Sequence, residues 1–373
     1  MFDFTDLNHK ELMEWLKELG EKEFHAKQIL DWIYKKGIMS WDDMSNLSKD
    51  LREKLASHIR FPVLEKVRVT ESHDLETFKF LWRLRDGQLV ESVLICSGPR
   101  RTVCVSSQVG CPAKCAFCAS GQQGFFRNLR PAEIVEQVLQ INHWLAPKGE
   151  RVSHVVFMGM GEPLKNYESV VKSINMLSHP DFLNISQRRI TLSTVGIVEG
   201  IRRMALEGLK VNLVLSLHAP NQHIRKKIIP YARKYPLEEI LGAMDEYSQK
   251  TKRDITYEYT LLAGINDHPD HALELAHLLK GKQCTVNLIP YNPVPGIKLK
   301  RPEKKAIKNF RSVLFGSHIV NTCRYTKGDD IAAACGQLAL QEKMEVHSSS
   351  KMSSLTILKD EKLSQKDNCF QSS

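Results

Sequence analysis

Cys111, Cys115 and Cys118 stand in the run GCPAKCAFCASG, at C-x3-C-x2-C spacing. Three thiolates on one loop suit a soft metal centre. A cubane iron–sulfur cluster has an iron at each of four corners, so three cysteines leave one iron open to a substrate. A zinc knob would take its fourth ligand from elsewhere in the chain. The loop follows a strand and precedes a helix, with Phe117 directly before Cys118, and this context favours the cluster.

A second motif, FMGMGEPL, spans residues 157–164. Gly159 and Gly161 allow the backbone to come close to a ligand. Glu162 can accept hydrogen bonds from an ammonium group. Ser193, Ser216-Leu217-His218 and Asn292 close three further strands, where a barrel would hold a ligand. Each, taken alone, is equally an ordinary polar residue or turn former. By residue type alone Cys104, inside a strand, and Cys335, among alanines, are small packing residues. Cys96, Cys284 and Cys323 acquire no role, and Cys369 is incidental.

The elements that must position these groups follow from periodicity. Leu12, Trp15, Leu16 and Leu19 fall at helical spacing, as do Phe24, Ile29, Leu30 and Ile33, and then Leu51, Leu55 and Ile59. Residues 1–60 are therefore expected to form a helical module, either a packing cap or a basic module that grips RNA. Residues 61–100 are expected to form a short linker sheet carrying Glu91, with strands over Val67–Thr70, Thr77–Leu84 and Gln88–Cys96 and a turn at Asp86-Gly87.

From residue 101 to 341, strands alternate with helices. The strands are Thr102–Ser106, His154–Met158, Arg189–Ser193, Val211–Leu217, Thr256–Leu262 and Thr285–Ile289. The intervening helices are Pro131–Trp144, Tyr167–Leu177, Gly200–Glu207, Leu237–Lys250, Asp270–Leu279 and Glu303–Leu314. Six such units imply an α/β fold with a parallel sheet, curled into a partial (βα)6 barrel. His318–Tyr325 reads as one more strand and Asp329–Leu340 as a helix. Residues 342–373, rich in Ser and Lys, read as a disordered tail.

The 373 residues carry 53 Lys and Arg against 43 Asp and Glu, a net charge of +10, which suits a polyanionic partner. Hydrophobic residues at 42% and charged residues at 26% exclude a fibrous or wholly disordered chain. No apolar run approaches the ~20 residues of a membrane span. The start, MFDFTDLNHKELMEW, has acids where an export signal needs positive charge, so a cytoplasmic, reducing location is expected.

The C-x3-C-x-F-C loop after a first βα strand resembles the radical S-adenosylmethionine superfamily. That resemblance implies a 4Fe–4S cluster on Cys111, Cys115 and Cys118. It also implies S-adenosylmethionine held by Gly161, Glu162, Ser193, Ser216, Leu217, His218 and Asn292. Over residues 8–341, the continuation GQQGFFRNLRPAEIVEQV, Cys104 in RTVCVSSQVGC and Cys335 in AAACGQL resemble the RNA adenine-C2 methyltransferases of 23S ribosomal RNA and, in some members, transfer RNA. The resemblance makes Cys335 the carrier of an S-methyl group. It makes Cys104 the resolving thiol, through a transient Cys104–Cys335 disulfide, and Glu91 the proton acceptor. It further implies a reducing partner such as flavodoxin, and a monomer is expected. Phe126 departs from the family, which carries a polar residue there. C8-methylating antibiotic-resistance relatives, and a non-catalytic zinc-bearing RNA-binding protein, are the alternatives.

For RNA contact, Arg225, Lys226, Lys227, Arg233 and Lys234 cluster in HIRKKIIPYARKY with Tyr231 and Tyr235 between them. They read as phosphate and base contacts or as a solvated loop. Arg127 and Arg130 are better placed if the mouth beside the cluster loop receives the nucleotide. The target adenine must leave its stack to react.

Overall fold

The computed structural model describes residues 2–324 and 327–338. Expectations for the tail 342–373, for Tyr325 and for the last residues of the Asp329–Leu340 helix lie outside these. Three α-helices, His9–Glu18, Glu23–Leu30 and Lys49–His58, form the amino-terminal module. The first begins in a capping box, where Glu11 N donates to Asn8 Oδ1 and Asn8 N donates to Glu11 Oε2. Leu12, Leu16, Ile29, Leu30, Leu51 and Leu55 are buried, as their spacing requires, whereas Phe24 lies exposed.

Buried polar groups fix this module to the barrel. Glu136, on helix Pro131–Leu145, accepts from Val63 N, Leu64 N and Thr5 Oγ1. The buried Asp3 carboxylate pairs with Arg60, Arg85 and Arg130. His9 Nε2 lies 3.2 Å from Asp181 Oδ2, and the His9 ring stacks on His179.

Seven parallel strands make the barrel wall: Arg100–Cys104, His154–Phe157, Ile190–Thr194, Asn212–Ser216, Ile255–Leu261, Cys284–Pro290 and Asn321–Cys323. The crossover helices are Pro131–Leu145, Tyr167–Ser178, Val198–Glu207, Leu237–Thr251, Pro269–Leu279 and Lys304–Gly316. Strand residues such as Val155, Leu192, Leu213, Leu215, Tyr257 and Leu288 are buried, which accounts for the near-continuous apolar runs. The meander Glu65–Glu71, Thr77–Arg83 and Leu89–Ser97 pairs antiparallel and joins the first barrel strand, so it extends one ten-stranded sheet. Its Asp86-Gly87 turn closes through Gly87 N to Leu84 O and Leu84 N to Gln88 O.

The segment expected as a helix from Asp329 is instead a series of turns through residue 338. Gly328, Ala332 and Gly336 all have positive φ, which interrupts the helix that three alanines would favour. Tertiary bonds hold the turns: Ala119 N donates to Gly336 O at 2.7 Å, and Gln337 Nε2 donates to Pro293 O at 2.9 Å. Among the described residues no helix is long and apolar enough to cross a membrane.

Candidate active site

The three-cysteine loop leaves the first barrel strand through a small ribbon, Gln108–Gly110 paired with Phe125–Asn128. The ribbon gathers both ends of the loop, and Cys111 N donates to Gly124 O at 2.8 Å. Ala116 N bonds Ile228 O at 2.9 Å, which ties the loop to helix Gln222–Ile228. The Phe117 ring meets His218 edge-on at 4.8 Å.

Cys111, Cys115 and Cys118 line one small cavity of about 130 Å³. Burial pushes Cys111 up to about 12, and it raises Cys115 and Cys118 as well. The neighbouring cysteines add to the rise at Cys111 and Cys115, so these sulfurs are close enough to feel each other's charge. Protons on such thiols are released only to a cation that replaces them. Three soft donors crowded at one cavity, Cys111 and Cys115 buried and Cys118 half-buried, fit a 4Fe–4S cluster with one iron open to a cosubstrate.

The same cavity is lined by Gly159, Gly161, Glu162, Ser193, Ser216, His218, Asn292 and Cys335. The glycines meet protein rather than open space. A Cβ on Gly159 would lie 2.7 Å from Val105 O, and one on Gly161 2.7 Å from Ser107 Oγ. Their small size thus lets the turn pack against the end of the first strand. Glu162 is buried, and burial lifts it to about 6. Its oxygens accept from Thr194 Oγ1, Val195 N and Leu164 N. Since a carboxylate has about four acceptor positions, roughly one is left for a ligand.

Ser193 Oγ and Ser216 Oγ share a 3.0 Å hydrogen bond. His218 accepts from Thr260 N through Nδ1, which puts the ring proton on Nε2. Burial and Arg225 pull its pKa down to about 3, so the ring is neutral. Asn292 accepts from Arg301 Nη2 at 2.8 Å and donates to Cys335 O at 3.4 Å, so it holds the Cys335 turn. Leu217 is fully buried and lines neither cavity; its carbonyl accepts from Arg225 Nε.

A second, larger cavity of about 890 Å³ contains Cys104. It extends to residues that begin the parallel strands, including Thr191, Asn212, Thr256 and Thr285. Arg100, Lys252 and Arg253 stand along it. The two cavities share Met158, Glu258, Ile289, Asn292 and Cys335. Cys335 is solvent-accessible at this junction, which removes the reading of a packing cysteine. Burial pushes Cys104 up to about 12, with the Cys335 thiol adding to the rise and Arg324 opposing it. Cys335 is likewise held above the ordinary thiol range by its surroundings, with Arg324 opposing the rise. The eight described cysteines are all free thiols.

Glu91 shares a strand face with Val93 and Ile95, which line the larger cavity, but is not itself a lining residue. Its buried carboxylate lies 3.3 Å from Lys79 Nζ, which also reaches Ala332 O in the turns before Cys335. Glu258 and Arg324, which bridge the two thiols electrostatically, were missed from sequence. Their signal was a carboxylate inside the apolar strand ITYEYTL and a cation directly after the last strand.

Several residues expected at the RNA are committed elsewhere. Arg127 is paired with Asp86 and Glu133, and Arg130 with Asp3 and Asp6. Arg225 is wholly buried. Tyr235 is buried and stacked with Tyr231, so its ring faces protein. Lys226, Lys227, Arg233 and Lys234 remain exposed, as does Phe126.

Comparison with known proteins places these features in context. Residues 2–60 match the family "Ribosomal RNA large subunit methyltransferase N-terminal domain", and residues 105–276 match the "Radical SAM superfamily". The chain is 84% identical over 341 residues to a probable dual-specificity RNA methyltransferase RlmN 2 of Protochlamydia amoebophila, covering 91% of this chain and 95% of that one. It is 46% identical to a probable dual-specificity RNA methyltransferase RlmN of Thermotoga neapolitana, over 92% and 99% of the two chains. A crystal structure of a radical SAM methyltransferase from Sphaerobacter thermophilus superposes with a TM-score of 0.89 at 42% identity, covering 91% of this chain and 99% of that one.

Proposed function

The chain belongs to the RlmN family of RNA methyltransferases within the radical SAM superfamily, and from that premise we propose that it methylates C2 of an adenine in 23S ribosomal RNA and in transfer RNA, with the methyl carried on Cys335. The observation that carries this reading is the position of Cys335, which lines both the cavity of the three cysteines and the larger cavity holding Cys104. A carrier must meet a donor on one side and an acceptor on the other, and Cys335 borders both.

Cys111, Cys115 and Cys118 would hold the 4Fe–4S cluster, and Glu162, Ser193, Ser216, His218 and Asn292 would line the S-adenosylmethionine site. When bound, this pair supplies a carbon-centred radical able to take hydrogen from an S-methyl group. Adenine C2 is electron-poor and lacks a lone pair, so a carbon radical is the suitable attacker. Cys335 sulfur first attacks the methyl carbon of one S-adenosylmethionine, forming an S–CH3 bond, releasing S-adenosylhomocysteine and losing its thiol proton. After that carbon has joined C2, the adduct must lose one electron, which would return to the iron–sulfur centre, and its C2 proton, which Glu91 would accept. Cys104 then attacks the Cys335 sulfur and breaks its bond to the bridging carbon; a disulfide forms, and that carbon takes up a proton to become the methyl of the released base. Arg324 is placed to stabilise either sulfur as thiolate.

The nucleotide enters at the amino-terminal end of the strands, past Arg100, Lys252 and Arg253. Residues 1–60 act as an accessory module for RNA, and 101–341, with Glu91 from the linker sheet, carry the chemistry. The enzyme works as a cytoplasmic monomer, with a flavodoxin-type protein as one-electron donor. Nucleoside mass spectrometry of both RNA pools after reaction tests the reading. Wild type is expected to yield 2-methyladenosine in both. C335A is expected to yield none while still cleaving S-adenosylmethionine. Recovery of 8-methyladenosine instead would favour the C8 alternative, and full turnover by C335A would remove Cys335 as carrier.

A further inference from the structure

Arg225 lies in a basic run that reads as solvent-facing, yet its side chain is fully buried. Nε donates to Leu217 O at 3.2 Å, and Nη2 donates to Val195 O at 2.6 Å and Ser216 O at 3.4 Å. Nη1 is buried without a partner. Among the described residues no carboxylate lies within ion-pair distance of the guanidinium. An uncompensated buried cation is costly, so such a charge calls for a nearby anion. Val195 and Ser216, whose carbonyls Nη2 bonds, line the cavity of the three cysteines. The helix that carries Arg225 is bonded to the cysteine loop through Ala116 N and Ile228 O.

Simple tethering of the three carbonyls explains Nε and Nη2 but leaves Nη1 and the charge unexplained. A cubane core on three thiolates is anionic when oxidised and gains one further negative charge on reduction. Charge and hydrogen bonds at the sulfurs set the potential of such centres. We propose that Arg225 is a positioning residue of the iron–sulfur centre, whose buried charge beside the three-cysteine cavity raises the reduction potential of the centre. This rests on the iron–sulfur reading of the three cysteines. The cation stabilises the reduced form more than the oxidised form, so an external one-electron donor reduces the centre more readily.

The test uses anaerobically reconstituted full-length wild type, R225K, R225Q and R225M. Iron and sulfide are assayed per chain, and the cluster is titrated against potential with detection by electron paramagnetic resonance. R225Q and R225M are expected to lower the reduced-to-oxidised ratio at fixed potential by about tenfold or more, or about 59 mV for one electron. R225K, which keeps the charge, is expected to titrate with wild type. Neutral variants that titrate with wild type would overturn the proposal, as would R225K shifting together with them. Iron loss from the neutral variants but not from R225K supports it, because retention then follows charge. Iron loss from R225K as well overturns it, because shape then decides. A wild-type chain that assembles no iron–sulfide centre fails the underlying reading instead, which keeps the two failures distinct.

Discussion

Gly161→Ala is expected to disrupt the turn that carries Glu162 through crowding as well as through backbone strain. Gly161 has φ +110, outside the range that side-chain-bearing residues readily adopt. Holding Ala there costs about 1–3 kcal/mol. The new Cβ would also meet Ser107 Oγ at 2.7 Å and the Gln108 Cβ and Cγ at 2.8 and 2.9 Å. Gln108 cannot easily retreat, because Oε1 accepts from Glu162 N and Nε2 donates to Asn128 Oδ1, each at 2.8 Å. Relieving such overlap adds about 1–3 kcal/mol, so the total is about 2–6 kcal/mol. Gly208→Ala is the control, since Gly208 has φ +69 and nothing within 4 Å of its Cβ position. It should cost only about 1–2 kcal/mol. Urea unfolding and equilibrium dialysis of S-adenosylmethionine on both variants make the comparison. The displaced Glu162 should weaken S-adenosylmethionine binding about tenfold in Gly161→Ala, a change of about 1.4 kcal/mol, and leave it unchanged in Gly208→Ala. Equal destabilisation together with equal affinity would refute the crowding argument.

His218 makes stability depend on pH. Its folded pKa of about 3 lies below its ordinary value of 6.5, so the unfolded chain binds the extra proton between those values. Its contribution is complete above pH 6.5 and is lost as pH falls towards 3, by about 2 kcal/mol at pH 5. His218→Asn keeps an acceptor for Thr260 N, tolerates φ +55 and should flatten that loss in urea titrations at graded pH; equal slopes would contradict it. Arg253→Ala should lower the slope of log affinity against log salt for an RNA fragment by about 1. Arg127→Ala should leave that slope unchanged, because its guanidinium is held by Asp86 and Glu133. Fluorescence anisotropy at several salt concentrations separates the two.

The barrel was legible because its signals are local. Apolar strand runs and amphipathic helices alternate from residue 101, and Asp86-Gly87 marks a hairpin whatever surrounds it. The cysteine spacing is local as well. What depended on tertiary contacts was not legible. Arg225 shares its run with exposed lysines, and only the packing of its helix on the cysteine loop turns it inward. Arg127 and Arg130 look free in sequence, but their acidic partners include Asp86, Asp3 and Asp6, remote in the chain. The alanines before Cys335 favour a helix locally, and bonds to Pro293 and Ala119 override that preference. The junction of two cavities at Cys335 likewise arises from segments remote in sequence.

Mass spectrometry of Cys104→Ala incubated anaerobically with RNA, S-adenosylmethionine and a reductant tests the role of Cys335 most directly. If Cys104 resolves the adduct as proposed, RNA should remain covalently attached to the Cys335 peptide of this variant through a one-carbon bridge to adenine. Release of methylated RNA at the wild-type rate, with an unmodified Cys335 peptide, would contradict a methyl carried on this residue.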